Sequence, residues 1–199
     1  MSDQSVKPTM KPSKWVALLG VMTALALVGN YVLVAVPNVE LGTTILFITA
    51  YIFGPLMAVW SALIMSVIFS SVNPWGGMIP LIWVAQLIGW IYVSVAGGLL
   101  GKSRKASQTE LITAGLVCTL VFDMATNIAY SLSFSIPIVV ALLTGFPFLI
   151  VHIVSNMLLF PVVVPKIYEA INSGLAGMIW EPASLMMELS EVDQPLNKG

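Results

Sequence analysis

The chain has 199 residues, of which 58% are hydrophobic and only 9% charged, with a formal net charge of −1 and a mean hydropathy of +0.98. A water-soluble domain carries about 25% charged residues, so this composition excludes one and specifies a membrane-embedded chain. The basic residues sit in short clusters between apolar runs, so the net charge says nothing about nucleic acid, and no nucleic-acid partner is expected; the single cysteine, Cys118, excludes an intrachain disulfide or a cysteine-based metal cluster.

Residues 1–14 form a polar tail containing Lys7, Lys11 and Lys14. The apolar run 15–36 that follows is too long for a signal-peptide core and reads as a retained first span, able to cross a hydrocarbon layer of about 30 Å. Within it Gly20 and Ala24 make a small-xxx-small pair, which lets another helix approach closely. Residues 41–53 and 56–70, separated by Gly54-Pro55, read as a tight hairpin of short helices, the second span of the chain being the shortest. The turn-rich loop 71–77 leads into a full span over 78–101, with Trp83, Gln86 and Trp90 on one face. A charged loop, 102–108, precedes the span 109–134. The apolar stretch 135–145 is too short to cross and is expected to form a re-entrant or capping loop. The last span is 146–165, with Pro161 and Pro165 suggesting a kink. Residues 172–199 are a tail rich in Glu and Met without a core pattern.

The expected fold is thus an all-α membrane protein: a six-transmembrane-helix bundle over residues 15–171 with a short second span, flanked by cytoplasmic tails 1–14 and 172–199. Lysine and arginine placement sets the orientation. With six spans, Lys7, Lys11, Lys14, Lys102, Arg104, Lys105 and Lys166 share one side, and the loops of the other side hold none. By the positive-inside rule both termini are cytoplasmic and the chain lies in the cell membrane.

Asp123 is the only acidic residue inside a long apolar run. A carboxylate at mid-bilayer costs about 2.5–3.5 kcal/mol on insertion scales, so it is expected to face a bundle interior or a wet cavity. Asn127 and Tyr130 share its helical face, and His152 and Asn156 are spaced four apart on the last span. At about 1.5 Å per residue, Asn127 and Asp123 lie some 10 and 16 Å below the outer end of their span. His152, Asn156, Gln86 and Asn30 fall in the same zone, so a polar cup opening outward is expected. Asn38, Asn73 and Trp75 lie on the loops above it and Trp83 on its wall. The bland alternatives are an Asp123–His152 structural bridge, amides serving as interhelical hydrogen bonds, tryptophans anchoring at the interface, and Asn38 with Glu40 capping the second helix. No Walker loop, H-E-x-x-H, G-x-S-x-G or cysteine cluster is present. No resident cofactor or metal is expected, and ATP hydrolysis must come from elsewhere. Without Lys or Arg in the spans, the cup suits an amine, ring N–H or hydroxyl better than a strong anion.

Over residues 37–101 the segments PNVELGTTILFITAYIFGP, SSVNPWGG and AQLIGWIYVSVAGGLLGK carry a resemblance. Asn38, Gly54-Pro55, the Asn73-Pro74-Trp75-Gly76 loop and the Gly97-Gly98…Gly101 end are its marks. The chain resembles the substrate-binding S component of energy-coupling factor (ECF) vitamin transporters. That resemblance implies a binder of a vitamin or related micronutrient with its pocket near the outer face. It also implies docking on a transmembrane coupling subunit and two ATPase subunits through small residues of the first helix. Gly20 and Ala24 stand at those positions, where the family's usual pair is alanines. Two other functions compete: a membrane-embedded enzyme with Asp123 and His152 as an acid/base pair, and a non-transporting assembly subunit.

Overall fold

A computed structural model of the protein describes residues 10–180 apart from 37, 74–75 and 103–104. The described residues contain helices and no strand: α1 (Pro12–Val32), α2 (Gly42–Phe53), α3 (Pro55–Ser71), α4 (Pro80–Leu100), α5 (Gln108–Phe134) and α6 (Ile138–Ala170), with a π turn (Ile171–Leu175) and a final short helix, α7 (Ala176–Ile179). Local sequence explains the starts. Pro12, Pro55 and Pro80 occupy first turns, where a missing N–H costs nothing. Ser107 and Glu110 close a reciprocal capping box at the head of α5. Gly54 joins α2 to α3 with φ at +95°, a conformation that side chains resist.

Four helical stretches are long and apolar enough to cross a membrane: α1, α4, α5 and the run Ile138–Ile179. The α2 and α3 helices are shorter; α2, with 12 residues, spans only about 18 Å. It is nonetheless the centre of the bundle. It packs on α1, α3, α4 and α6, while α1–α3, α3–α4, α4–α5 and α5–α6 contacts build the wall around it. Leu46, Phe47, Ile48 and Ala50 of α2 are buried, and Phe47 meets Phe160 of α6 with ring centroids 4.7 Å apart. Large apolar side chains such as Val21, Leu25, Leu143 and Leu158 point outward, the surface expected where lipid and not water is the neighbour.

The helices run so that one end of the bundle carries the 33–41, 72–79 and 135–137 connections. Glu40 is their only charged residue. The other end carries Lys11, Lys14, Lys102, Lys105 and Lys166. There Tyr51 accepts a hydrogen bond from the Ala106 N–H at 2.8 Å and meets the Tyr168 ring.

Three expectations change. The first span ends as a helix at Val32, with turns following. The stretch 135–145 is neither re-entrant nor a cap. Ser135 adopts φ 53°, ending α5, and Ser131 ties the turn by donating to the Ile136 carbonyl at 2.7 Å. From Ile138 the chain is already α6, because nothing between Pro137 and Pro147 breaks the helix. The helix also runs on through Pro147, Pro161 and Pro165. Finally, helical structure continues past residue 171: Ile179 is buried and Trp180 faces the Phe53 ring at 6.2 Å. Residues 181–199, the rest of the expected tail, lie outside the described residues.

Close approach of α2 and α4 requires a glycine. A Cβ on Gly97 would lie 2.5 Å from the Phe47 carbonyl oxygen and 3.0 Å from Ala50 Cβ, whereas one on Gly20 would meet nothing within 4 Å. Gly97→Ala is therefore expected to cost about 1–3 kcal/mol and Gly20→Ala less than about 0.5 kcal/mol. Thermal unfolding of the two variants in detergent checks the difference.

Candidate ligand-binding site

Because α2 is short, the bundle is not filled to its lysine-free end. A cavity of about 620 Å³ occupies the space there, lined by Asn30, Asn38, Glu40, Phe69, Asn73, Gln86, Trp90, Phe122, Tyr130, Phe148 and His152 among others. Two recesses adjoin it. One, of about 580 Å³, shares Asn73 and Gln86 and includes Trp83. The other, of about 220 Å³, shares Asn38, Tyr130 and Phe148 and includes Asp123 and Asn127.

Aromatic rings from successive helices form the inner wall. Tyr31 of α1 meets Phe69 of α3 at 5.3 Å between centroids, Phe69 meets Trp90 of α4 at 6.4 Å, Trp90 meets Phe122 of α5 at 5.5 Å, and Phe122 meets His152 of α6 at 5.8 Å. Such tilted and edge-on pairs are the arrangement that ring quadrupoles favour. Trp90 begins this floor about 15 Å down α4 from Pro80, at 1.5 Å per residue.

The polar groups stand against that wall. His152 Nδ1 lies 3.1 and 3.2 Å from the two carboxylate oxygens of Asp123. Its Nε2 lies 4.0 Å from Glu40 Oε1 and is buried with no hydrogen-bond partner. Glu40 in turn accepts from the Thr43 hydroxyl in the first turn of α2, and Thr43 accepts from the Trp90 indole N–H at 3.3 Å. Acid, helix start and aromatic floor are thereby one connected unit. Leu41 is the residue that caps α2, with no side-chain bond, so neither Asn38 nor Glu40 serves as the cap. Asn38 instead takes φ 60° and donates to the Phe148 carbonyl at 3.4 Å, while Ser155 donates to the Asn38 carbonyl at 3.3 Å. These bonds hold the 33–41 connection against α6.

The structure brings together most of the residues singled out in the sequence. Asn30, Asn38, Asn73, Gln86, Tyr130 and His152 line the main cavity. Asn30 donates to Met65 Sδ at 3.4 Å, and its carbonyl oxygen is buried without a partner. Asp123 turns its carboxylate to His152 and reaches only the smaller recess. Asn127 spends its amide N–H on the Asp123 backbone carbonyl at 2.8 Å, and Trp83 donates to Ser66 at 3.3 Å. Asn156 is apart from all three spaces. It is fully buried and donates to Thr119 Oγ1 at 2.9 Å, joining α6 to α5. One turn deeper than His152, it faces Gly115, whose missing Cβ lets the helices close. Trp75 lies outside the described residues. Gly20 and Ala24 are exposed on the outer face of α1, turned away from Met22, Thr23 and Ala26, which pack inward.

Sequence reasoning missed Glu40 as a cavity residue, together with Phe69, Trp90, Phe122 and Phe148. Glu40 had a signal, as the lone charge of the lysine-free end. Trp90 had one too, in sharing a helical face with Gln86, but the phenylalanines had none, since a phenylalanine in an apolar helix looks the same whether it faces lipid or a cavity.

The family model described as ECF-type riboflavin transporter, S component, matches residues 11–173. No curated protein and no solved structure matches the chain.

Asp123 and His152 are both buried and each is the other's partner. Removing one strands the other, whereas removing both leaves an apolar contact. Asp123→Leu is expected to destabilise by about 3–5 kcal/mol, and the double variant Asp123→Leu/His152→Leu by clearly less. Melting temperatures of the two purified variants test this ordering.

Proposed function

The chain belongs to the ECF-type riboflavin transporter S component family, and on that footing we propose that it captures a flavin outside the cell and delivers it to an ATP-driven ECF importer. It is a multi-pass membrane protein and a transport subunit, not an enzyme. We read six crossings, with α2 and α3 as a short pair, both termini cytoplasmic, and the plasma membrane as the location. The lysine distribution supports that orientation. The cavity then lies at the outer face, where a scavenged nutrient arrives.

The observation that carries the reading is the aromatic wall of Phe69, Trp90 and Phe122 beneath a polar rim of Asn38, Asn73 and Gln86. A flavin has the matching character: a flat fused ring with apolar faces and polar edges, bearing a hydroxylated chain. The volume of about 620 Å³ falls within the range of about 300–1,000 Å³ typical of small-molecule pockets. Among the described residues no Lys or Arg lines it, which favours an uncharged vitamin over a phosphorylated form. The chain has no nucleotide-binding loop of its own, so energy would come from a coupling subunit and two ATPase subunits. Gly20 and Ala24, left unused by the packing of this chain, are the proposed docking positions on α1.

Purified protein is expected to quench riboflavin fluorescence saturably, with one flavin per chain and no turnover. Phe69→Leu keeps apolar volume but removes a ring face. Stacking of a planar base on an aromatic ring contributes about 1–3 kcal/mol, so this variant is expected to bind at least about tenfold more weakly. Absence of saturable quenching by the wild-type chain would reject the flavin reading.

A further inference from the structure

The cavity contains one built polar feature that the aromatic wall does not explain. His152 is almost fully buried, yet its Nε2 has no partner. Opposite it, at 4.0 Å, stands Glu40 Oε1, beyond the range of about 2.7–3.2 Å for a direct hydrogen bond. Both residues line the main cavity. An orphaned polar atom in such a setting costs stability unless something else satisfies it.

The chemistry of each atom follows from its neighbours. Both Asp123 oxygens face Nδ1, so a ring hydrogen belongs on Nδ1. Nε2 is the ring atom turned toward Glu40, whose carboxylate accepts from the Thr43 hydroxyl. The gap of 4.0 Å between them suits two neighbouring groups that can each donate or accept. Adjacent hydroxyls on a polyol chain do so and can turn to face both atoms, whereas a ring imide offers one N–H between two carbonyls that only accept.

We propose that His152 Nε2 and Glu40 form a vicinal-diol subsite, which reads two neighbouring hydroxyls of the ligand's chain while its ring lies on the Phe69–Trp90–Phe122 wall. Asp123 is then a positioning residue, holding the imidazole so that Nε2 faces Glu40. The assignment rests on the flavin reading above and deepens it, because it says which part of the ligand is recognised and from which side. His152 adjoins Phe122 in the wall, so the chain points toward α6 and the 33–41 connection.

The test is a binding series on the full-length protein in detergent with riboflavin, lumiflavin, which lacks the hydroxylated chain, and 3-methylriboflavin, whose imide N–H is blocked. Riboflavin is expected to bind at least about tenfold more tightly than lumiflavin, as a site with buried polar groups rejects a ligand that cannot pair with them. The 3-methyl compound is expected within about threefold of riboflavin. Glu40→Ala should weaken riboflavin but not lumiflavin, so that their ratio collapses; a purely structural role would lower both alike. Equal binding of riboflavin and lumiflavin, loss with the 3-methyl compound alone, or a ratio unchanged in Glu40→Ala would overturn the diol subsite while leaving the flavin reading standing. Failure of the wild-type chain to bind any of the three would remove both. Should Glu40→Ala not fold, the wild-type series decides by itself.

Discussion

A central helix too short to fill its bundle is the constraint on which the structure turns. With 12 residues, α2 reaches about 18 Å, roughly three-fifths of a hydrocarbon core of about 30 Å. Its neighbours are longer and continue past its first turn, so the space above it must be void, collapsed or occupied. The wall helices do not collapse because they are held apart by the connection that feeds α2. Asn38 and Ser155 bind that connection to α6, and Leu41 N–H donates to the Gly29 carbonyl of α1 at 3.1 Å. The cavity is thus framed by the same backbone that starts the short helix.

That arrangement accounts for the cost of its polar groups. Buried acids and imidazoles are expensive in a bilayer, and here each is answered. Asp123 has His152, Glu40 has Thr43, and Thr43 has Trp90. Among the described residues four buried side-chain polar atoms are left unanswered: His152 Nε2 and the Asn30 carbonyl oxygen belong to residues that line the cavity, while Thr44 Oγ1 and Asn156 Oδ1 lie outside it. Asn156 lies apart from the cavity. Its amide N–H donates to Thr119 between α5 and α6, while its Oδ1 is buried without a partner.

The molecule divides along its length. In the lysine-bearing half Phe47, Tyr51, Phe160 and Val164 belong to the buried core, and glycines at 97 and 101 let α4 meet α2 there. The other half is open, aromatic and polar. The proposed role, binding on one side and hand-over through partners, would use this asymmetry: a filled base, and a mouth able to receive a ligand. The outer face of α1, with Gly20 and Ala24 exposed, is a smooth surface on the flank of that base.

The sequence by itself determined the helical class, most helix limits and the face on which Asp123, Asn127 and Tyr130 lie, because apolar run length, proline and glycine punctuation and helical periodicity act locally. The clustering of lysines at one end was legible for the same reason. Tertiary structure alone decided which polar groups look into the cavity. Spacing places His152 and Asn156 on one stripe of α6, but one turn separates a ring that lines the cavity from an amide sealed against Thr119. It also decided that Asp123 serves His152 while Glu40, in a loop, faces the cavity, and that Phe69, Trp90 and Phe122 form one wall. Those residues come from different helices, and no periodicity within a helix records which neighbour it will meet.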